Sequence, residues 1–307
     1  MRVIFAGSGA FGLPTLEALK PHVVQVVSQP DHPAGRGRKL TPTPISKFAL
    51  ENNLPLLRTP DINAETLAEA DVMVVIAFGQ KISPAKVSHP RLGSINLHAS
   101  LLPRFRGAAP IVWTMLSGAN VAGNSVIRLA ERMDAGAILA QSQLDILPLE
   151  TAGELHDRLA SDGAPLIQRV LDDLISGRAV ETAQDESLAC PAPKIHRRDA
   201  KLDFTRGSQE IARRIRALWP WPGCHVRLLD AAGDEIQRLS LARAKKSESE
   251  GDRWRPGEIE TTGAVRCGDG AIEILELQPE GRRPMALADF RRGHGWMPGM
   301  RVQSITE

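Results

Sequence analysis

Short apolar runs alternate with segments of helical spacing through the first part of the chain, and this alternation admits few architectures. Residues 2–6, 23–27, 54–57 and 72–77 read as strands. Leu13, Leu16 and Leu19, with Pro14 in the first turn, read as a helix, as do residues 45–52 and 64–70. Strand and helix in repetition give a parallel sheet with helices on its faces. Residues 94–98 read as a further strand, 111–116 as a helix, and 125–129 and 138–146 as two more strands. The clearest helix is expected over 151–176, where Leu155, Leu159, Leu166, Val170 and Leu174 recur at helical spacing and Gly177 gives a stop signal.

The stretch 93–110, Gly-Ser-Ile-Asn-Leu-His-Ala-Ser-Leu-Leu-Pro-Arg-Phe-Arg-Gly-Ala-Ala-Pro, carries the densest chemistry. On a strand over 94–98, Asn96 and His98 share one face while Ile95 and Leu97 share the other. Pro103, Gly107 and Pro110 stop that strand from continuing. A hydrogen-bond donor and a titratable imidazole are thus expected at a strand's carboxyl end, where open parallel sheets place ligands. Asp134, in Glu131-Arg132-Met133-Asp134-Ala135-Gly136 after the strand 125–129, is a candidate third member, also expected at a strand's carboxyl end. An amine attacking a formyl or acyl carbon needs donors for the developing oxyanion and an acceptor for the amine proton. Asn, His and Asp supply those functions, with a carboxylate beside His98 making it a better donor to the oxyanion. Singly, each residue reads more simply as a turn, cap or structural residue; the constellation is what points to chemistry.

A chain of 307 residues is long enough for two domains and a large core. Cys190, Cys224 and Cys267 are far apart with no Cys/His metal spacing, so neither a zinc site nor a disulfide framework is expected, and no metal. The chain opens directly on a strand and holds no apolar run of about 18 residues. Neither export nor membrane insertion is expected, and a cytoplasmic location fits. A net charge of +2 does not identify a nucleic-acid partner, so any such claim rests on local clusters. Arg36, Arg38, Lys39 and Lys47 lie in the acid-free span 32–50. Between 194 and 216, Lys194, Arg197, Arg198, Lys201, Arg206, Arg213, Arg214 and Arg216 outnumber Asp199, Asp203 and Glu210. With no Tyr and few other aromatics, the chain offers few stacking platforms for single strands.

From 177 to about 202 the apolar periodicity lapses, and Pro191 and Pro193 fit a linker crossing the surface. Beyond it, Ser208 can cap a helix with Ile211, Ile215 and Leu218 inward and Arg213, Arg214 and Arg216 mainly outward. Trp219-Pro220-Trp221-Pro222-Gly223 ends that helix. Short strands at 226–229, 236–242, 257–260, 264–267 and 272–277, separated by Gly/Asp turns, read as a small barrel. The expected division is a catalytic domain over 1–189, a linker over 190–204 and a carboxyl-terminal β-barrel domain over 205–307.

Gly7-Ser8-Gly9-Ala10-Phe11-Gly12 follows a strand, opens a helix and is succeeded by Asp31, as in a dinucleotide fingerprint. Against that reading, Asp31 follows Gln29-Pro30 in a loop and a basic insertion comes next. Glycines there also serve a tight strand-to-helix turn with no ligand at all. A nucleotide-cofactor oxidoreductase therefore stands as an alternative from a different class.

Asn96-x-His98-x-Ser100-Leu101-Leu102-Pro103, with Asp134 downstream, resembles the signature of the formyltransferases and hydrolases that use 10-formyltetrahydrofolate. Segments 29–40, 95–110, 154–159, 192–195, 219–223 and 275–279 extend the similarity nearly end to end. The Pro-Ala-Gly-Arg-Gly-Arg-Lys loop at 33–39 and the carboxyl-terminal domain are similar to the branch that formylates initiator tRNA. The resemblance implies a Rossmann-like, mostly parallel α/β catalytic domain, a linker and a β-barrel of the oligonucleotide-binding (OB) type. It implies Asn96, His98 and Asp134 as the catalytic trio, and Ser100, Leu101, Leu102 and Pro103 as the lining of the folate site. It places Arg36, Arg38 and Lys39 on the acceptor end of tRNA, with Lys194 in the second basic cluster. The formyl donor would be 10-formyltetrahydrofolate, the acceptor initiator methionyl-tRNA, and the working form a monomer. Departures from the family pattern are the glycines of the first loop, Phe78 and Pro191 where relatives commonly carry Tyr, and Ala135 and Ala137 around the acid. The rivals within this reading are a formyl-folate enzyme acting on a small amine or hydrolysing its donor, and a noncatalytic tRNA-binding module.

Overall fold

A computed structural model describes residues 1–34, 37, 39–249 and 251–305. The chain divides into two compact units, one formed by 1–110, 121–145 and 156–193, the other by 111–120, 146–155 and the residues from 194 on. In chain order the first part runs β1 (Val3–Gly7), α1 (Leu13–Leu19), β2 (Val23–Ser28), β3 (His32–Ala34), β4 (Lys39–Thr41), α2 (Pro44–Glu51) and β5 (Leu56–Arg58). It continues through β6 (Val72–Ile76), α3 (Pro84–Val87), β7 (Ser94–His98), α4 (Pro110–Leu116), β8 (Val121–Arg128), β9 (Ile138–Asp145) and α5 (Ala152–Ile175).

The first unit is organised on a seven-stranded sheet in the order β5-β2-β1-β6-β7-β8-β9. The first five of these are parallel, and β8 and β9 are antiparallel to their neighbours. Every residue of β1 and β6 is buried, as continuous apolar strands covered on both faces must be. Ile4, Ala6, Val27, Met73 and Val75 pack with Ile62, Leu67 and Phe78 on one face. On the face carrying Leu97, α5 passes so close at Gly163 that a Cβ there would lie 2.4 Å from Leu97 Cδ2.

The helix expected over 64–70 is a single turn, Ile62–Ala64, followed by irregular chain. Asp61 caps that turn, and the Ala68 amide donates to Gln25 Oε1 at 2.9 Å instead of to a helical carbonyl. The polar insertion after Asp31 contains the hairpin β3–β4. Glycines of the first loop are spent on packing. A Cβ at Gly7 would stand 2.8 Å from Phe5 Cε1, and one at Gly12 3.1 Å from Phe5 Cζ. The Ser8 and Gly9 amides both donate to the Ala77 carbonyl at 3.2 Å, so the groups that would cradle a pyrophosphate are engaged. Asp31 pairs with Arg58 at 2.8 Å.

The second unit holds α6 (Ser208–Ala217), β10 (Cys224–Leu229), β11 (Glu235–Ser247), β12 (Val265–Cys267), β13 (Gly270–Pro279), β14 (Met285–Ala286), α7 (Leu287–Gly293) and β15 (Arg301–Ser304). Its antiparallel sheet runs β12-β13-β11-β10-β15, with β14 on β13. Single bridges from Glu258 to Arg301 and from Ile259 to Val265 join the two outer strands, so the sheet is nearly closed. The strand expected over 257–260 is therefore two bridges. Ile211, Ile215 and Leu218 of the α6 region are buried as their spacing predicts. The cap of α6 differs from expectation: Gly207 is the N-cap, and the Ser208 amide donates to Asp269 Oδ1 at 2.6 Å. That bond holds the Asp269 carboxyl below its ordinary range.

Candidate active site

Strand pairing sets a polar row across three strands. His98 on β7 lies opposite Ser125 on β8, and Ser125 lies opposite Gln141 on β9. Directly paired residues share a face, so this row stands beside Asn96 and beneath the loop that follows β7. The Ser125 side chain is fully buried, and its hydroxyl uses its whole capacity. It donates to Ser100 O at 2.6 Å and accepts from the Leu102 amide at 3.0 Å and from Gln141 Nε2 at 2.8 Å. Gln141 Nε2 also donates to Leu102 O at 3.0 Å. Ser100, 1% exposed, donates from its hydroxyl to Arg104 O at 2.7 Å. Ser100 and Leu102 thus frame the loop from inside, while Leu101 and Pro103 are half-buried. Ser125→Ala orphans the buried Leu102 amide and is expected to cost about 1–3 kcal/mol in urea unfolding.

His98 is 7% exposed, and its Nε2 lies 2.9 Å from the Phe105 carbonyl. A carbonyl only accepts, so Nε2 carries the proton of the neutral ring and Nδ1 carries a lone pair. Nδ1 faces Asp134 Oδ1 at 3.7 Å. The nitrogen free for chemistry is therefore an acceptor in the neutral ring, and becomes the donor expected of His98 once the ring is an imidazolium. Two acceptors confronting each other leave a position that an N–H donor fills. Asn96 is half-buried, and its side-chain amide makes no hydrogen bond to another described residue.

Asp134 reaches this place by an indirect route. Because β8 is antiparallel to β7, its end at Arg128 lies beside Ile95, three residues back from His98. That is about 10 Å of strand, so the loop between β8 and β9 folds back over the sheet to bring Asp134 to the imidazole. The loop does follow the carboxyl end of β8, as expected, but in an antiparallel strand that end lies beside the start of β7 and not beside His98. Asp134 has φ +53°, and its Oδ2 accepts from the Gly107 amide at 2.9 Å. The structure thus unites Asn96, His98 and Asp134 with the loop 100–103.

Lys39 on β4 and Lys194 are exposed, and Arg36 and Arg38 fall outside the described residues. Among the described residues no cluster of His, Cys, Asp or Glu could hold a metal, and no helix is long and apolar enough to cross a membrane. The Phe105 amide donates to Cys190 Sγ at 3.2 Å. Burial pushes the Cys224 and Cys267 thiols up to about 12. Sequence reasoning does not single out Ser125 and Gln141; the signal is that Ser125 lies opposite His98 and Gln141 opposite Ser125, which appears only once strand register is known.

Comparison with known proteins is concordant. The family described as formyl transferase matches residues 1–171, and that described as formyl transferase, C-terminal domain, matches 194–295. The methionyl-tRNA formyltransferase of Geobacter sulfurreducens is 39% identical over 315 aligned positions, covering 98% of this chain and 96% of the relative. That of Acidobacterium capsulatum is 40% identical, with 98% and 99% covered. Among solved structures, the sugar 3N-formyl transferase WlaRD, with dTDP and 5-N-formyl-THF, gives a TM-score of 0.65 at 18% identity, covering 92% of this chain and 99% of that one. HypX from Aquifex aeolicus with tetrahydrofolic acid gives 0.61 at 16% identity, covering 94% and 46%.

Proposed function

The chain belongs to the formyl transferase family, and from that premise we propose that it transfers a formyl group from 10-formyltetrahydrofolate to the α-amino group of methionyl initiator tRNA. The observation that carries the mechanism is the confrontation of His98 Nδ1 with Asp134 Oδ1 at 3.7 Å beside the unengaged Asn96 amide. This donor set fits a formyl-folate substrate: an amide donor for the formyl oxygen, and two acceptors for the amine that attacks it. The folate supplies the formyl carbon. Asn96 donates to the formyl oxygen as negative charge develops there. His98 Nδ1 takes the proton that the α-amine must lose, its ring held in register by the bond from Nε2 to Phe105 O. Asp134 stabilises the resulting imidazolium, and His98 returns the proton to the departing folate nitrogen. One N–H and one C–N bond break, one C–N and one N–H bond form, and the proton count closes.

The loop 100–103, pinned by Ser125 and Gln141, is assigned to the folate side. Arg36, Arg38 and Lys39 are assigned to the acceptor end of the tRNA, and Lys194 to its contacts with the second unit. The working form is assigned as a monomer on the family resemblance alone, and an acceptor charged for translation supports the cytoplasm. The discriminating experiment offers the purified protein 10-formyltetrahydrofolate with methionylated initiator tRNA, methionylated elongator tRNA or free methionine. Formylation is expected with the initiator far above the others; equal use of free methionine refutes the tRNA assignment. Lys39→Ala is expected to weaken tRNA binding and to flatten the log–log salt dependence by about one unit, leaving the KM for folate unchanged. Equal loss for both ligands contradicts that role.

A further inference from the structure

We propose that Gln184 is a positioning residue for the reaction, holding the return loop of Asp134 in its active conformation. The inference rests on the formyl-transfer reading above. Gln184 Nε2 donates to Asp134 O and to Gly136 O, each at 2.8 Å, and Oε1 accepts from Arg106 Nε at 3.0 Å and Nη2 at 2.6 Å. Both amide hydrogens and both lone pairs are used. The two carbonyls it grips flank Ala135, fixing the chain where Asp134 adopts φ +53°, a left-handed conformation that a residue with a Cβ keeps where its surroundings impose it.

The bonds close a circuit around the carboxylate. Gln184 holds the Asp134 backbone and the Arg106 side chain, and the next residue, Gly107, donates its amide to Asp134 Oδ2. Slack at Gln184 therefore moves the carboxylate and its donor relative to each other. Glu186 reinforces the same tie, pairing with Arg106 at 2.8 Å and with Arg132 of the return loop at 2.6 Å. Its bond to Arg106, then that to Arg132, lowers the Glu186 carboxyl to about 2. That tie stays ionised at any pH where the enzyme would be assayed.

Backbone bonds fix where Gln184 stands. Ile138 and Thr182 exchange amide–carbonyl bonds at 2.8 and 2.9 Å. The Arg106 amide donates to Cys190 O at 2.9 Å, and the Ala192 amide to Arg106 O at 2.6 Å. The stretch expected only to cross the surface is thus anchored on both sides of position 184. Gln184 does not hydrogen-bond His98 or Asn96; its influence on the chemistry runs through Asp134.

The test uses the full-length protein in steady-state formylation with 10-formyltetrahydrofolate and methionyl initiator tRNA. Gln184→Ala is expected to lower kcat about 10- to 100-fold with both KM values within about twofold, the signature of lost orientation. Gln184→Glu, which turns a carboxylate toward two carbonyls, is expected to fall at least as far. In an Asp134→Asn background, Gln184→Ala is expected to add less than about a further twofold, because the group it acts through is already disabled. A merely structural role predicts losses that multiply in the double variant. Should Gln184→Ala not fold, Gln184→Met, of similar volume, carries the same comparison. Unchanged kcat in an active wild-type background, or multiplicative losses, overturns the inference alone. A wild-type protein that forms no formylmethionyl-tRNA overturns the parent reading and this one with it.

Discussion

Asp134→Asn is expected to lower kcat for formylation about 10²- to 10⁴-fold, with little change in either KM. The substitution preserves shape, so its effect comes from chemistry. The Gly107 amide donates to Oδ2 at 2.9 Å and requires an oxygen there. The new NH2 group is therefore forced onto the other side, toward His98 Nδ1, now 3.7 Å from Oδ1. There it donates to the lone pair that the α-amine proton needs, and the charge that stabilised the imidazolium is gone. His98→Ala and Asn96→Ala are expected to fall into the same range, the latter through loss of a donor to the formyl oxygen. Thermal unfolding of Asp134→Asn should stay close to wild type, separating catalytic loss from loss of fold.

Gly136→Ala is expected to remove at least about 100-fold in kcat, and here stability should fall as well. A Cβ at this position would stand 1.8 Å from Arg128 O and 2.8 Å from Arg128 C, backbone atoms that cannot rotate away. The return loop must shift, and the carbonyls of Asp134 and Gly136 that Gln184 holds must shift with it. Overpacking of this kind costs about 1–3 kcal/mol, so Tm should drop by a few degrees, in contrast to Asp134→Asn. Wild-type turnover in Gly136→Ala would show that the loop geometry is not what sets the rate.

What the sequence made legible follows from periodicity. β1 and β6 stand out as apolar runs, α5 as a spacing of leucines, and Asn96 and His98 as a pair two residues apart on a strand that really forms. Residues 64–70 misled because helical composition lost to a side-chain acceptor, Gln25 Oε1. The place of Asp134 was not readable from spacing, since an antiparallel β8 ends beside the start of β7 and the loop must double back. Its position after the strand 125–129 makes it a candidate, and its catalytic role is what the resemblance to formyl-folate enzymes implies. Gln184 left no trace because single bridges at Thr182 and Pro191 carry no repeat. Arg213, Arg214 and Arg216, expected mainly on the outer face of α6, are half-buried, head groups included: Arg216 Nη1 donates to the Ala244 carbonyl, and burial lowers the pKa of its guanidinium.

The most direct test follows a labelled formyl carbon from 10-formyltetrahydrofolate in the presence of methionyl initiator tRNA, with wild type and Asp134→Asn side by side. Label is expected in formylmethionine released from the tRNA, formed by the wild type and suppressed at least about 100-fold in the variant. Label appearing as free formate whether or not tRNA is present, or equal transfer by both proteins, would contradict formyl transfer at Asn96, His98 and Asp134.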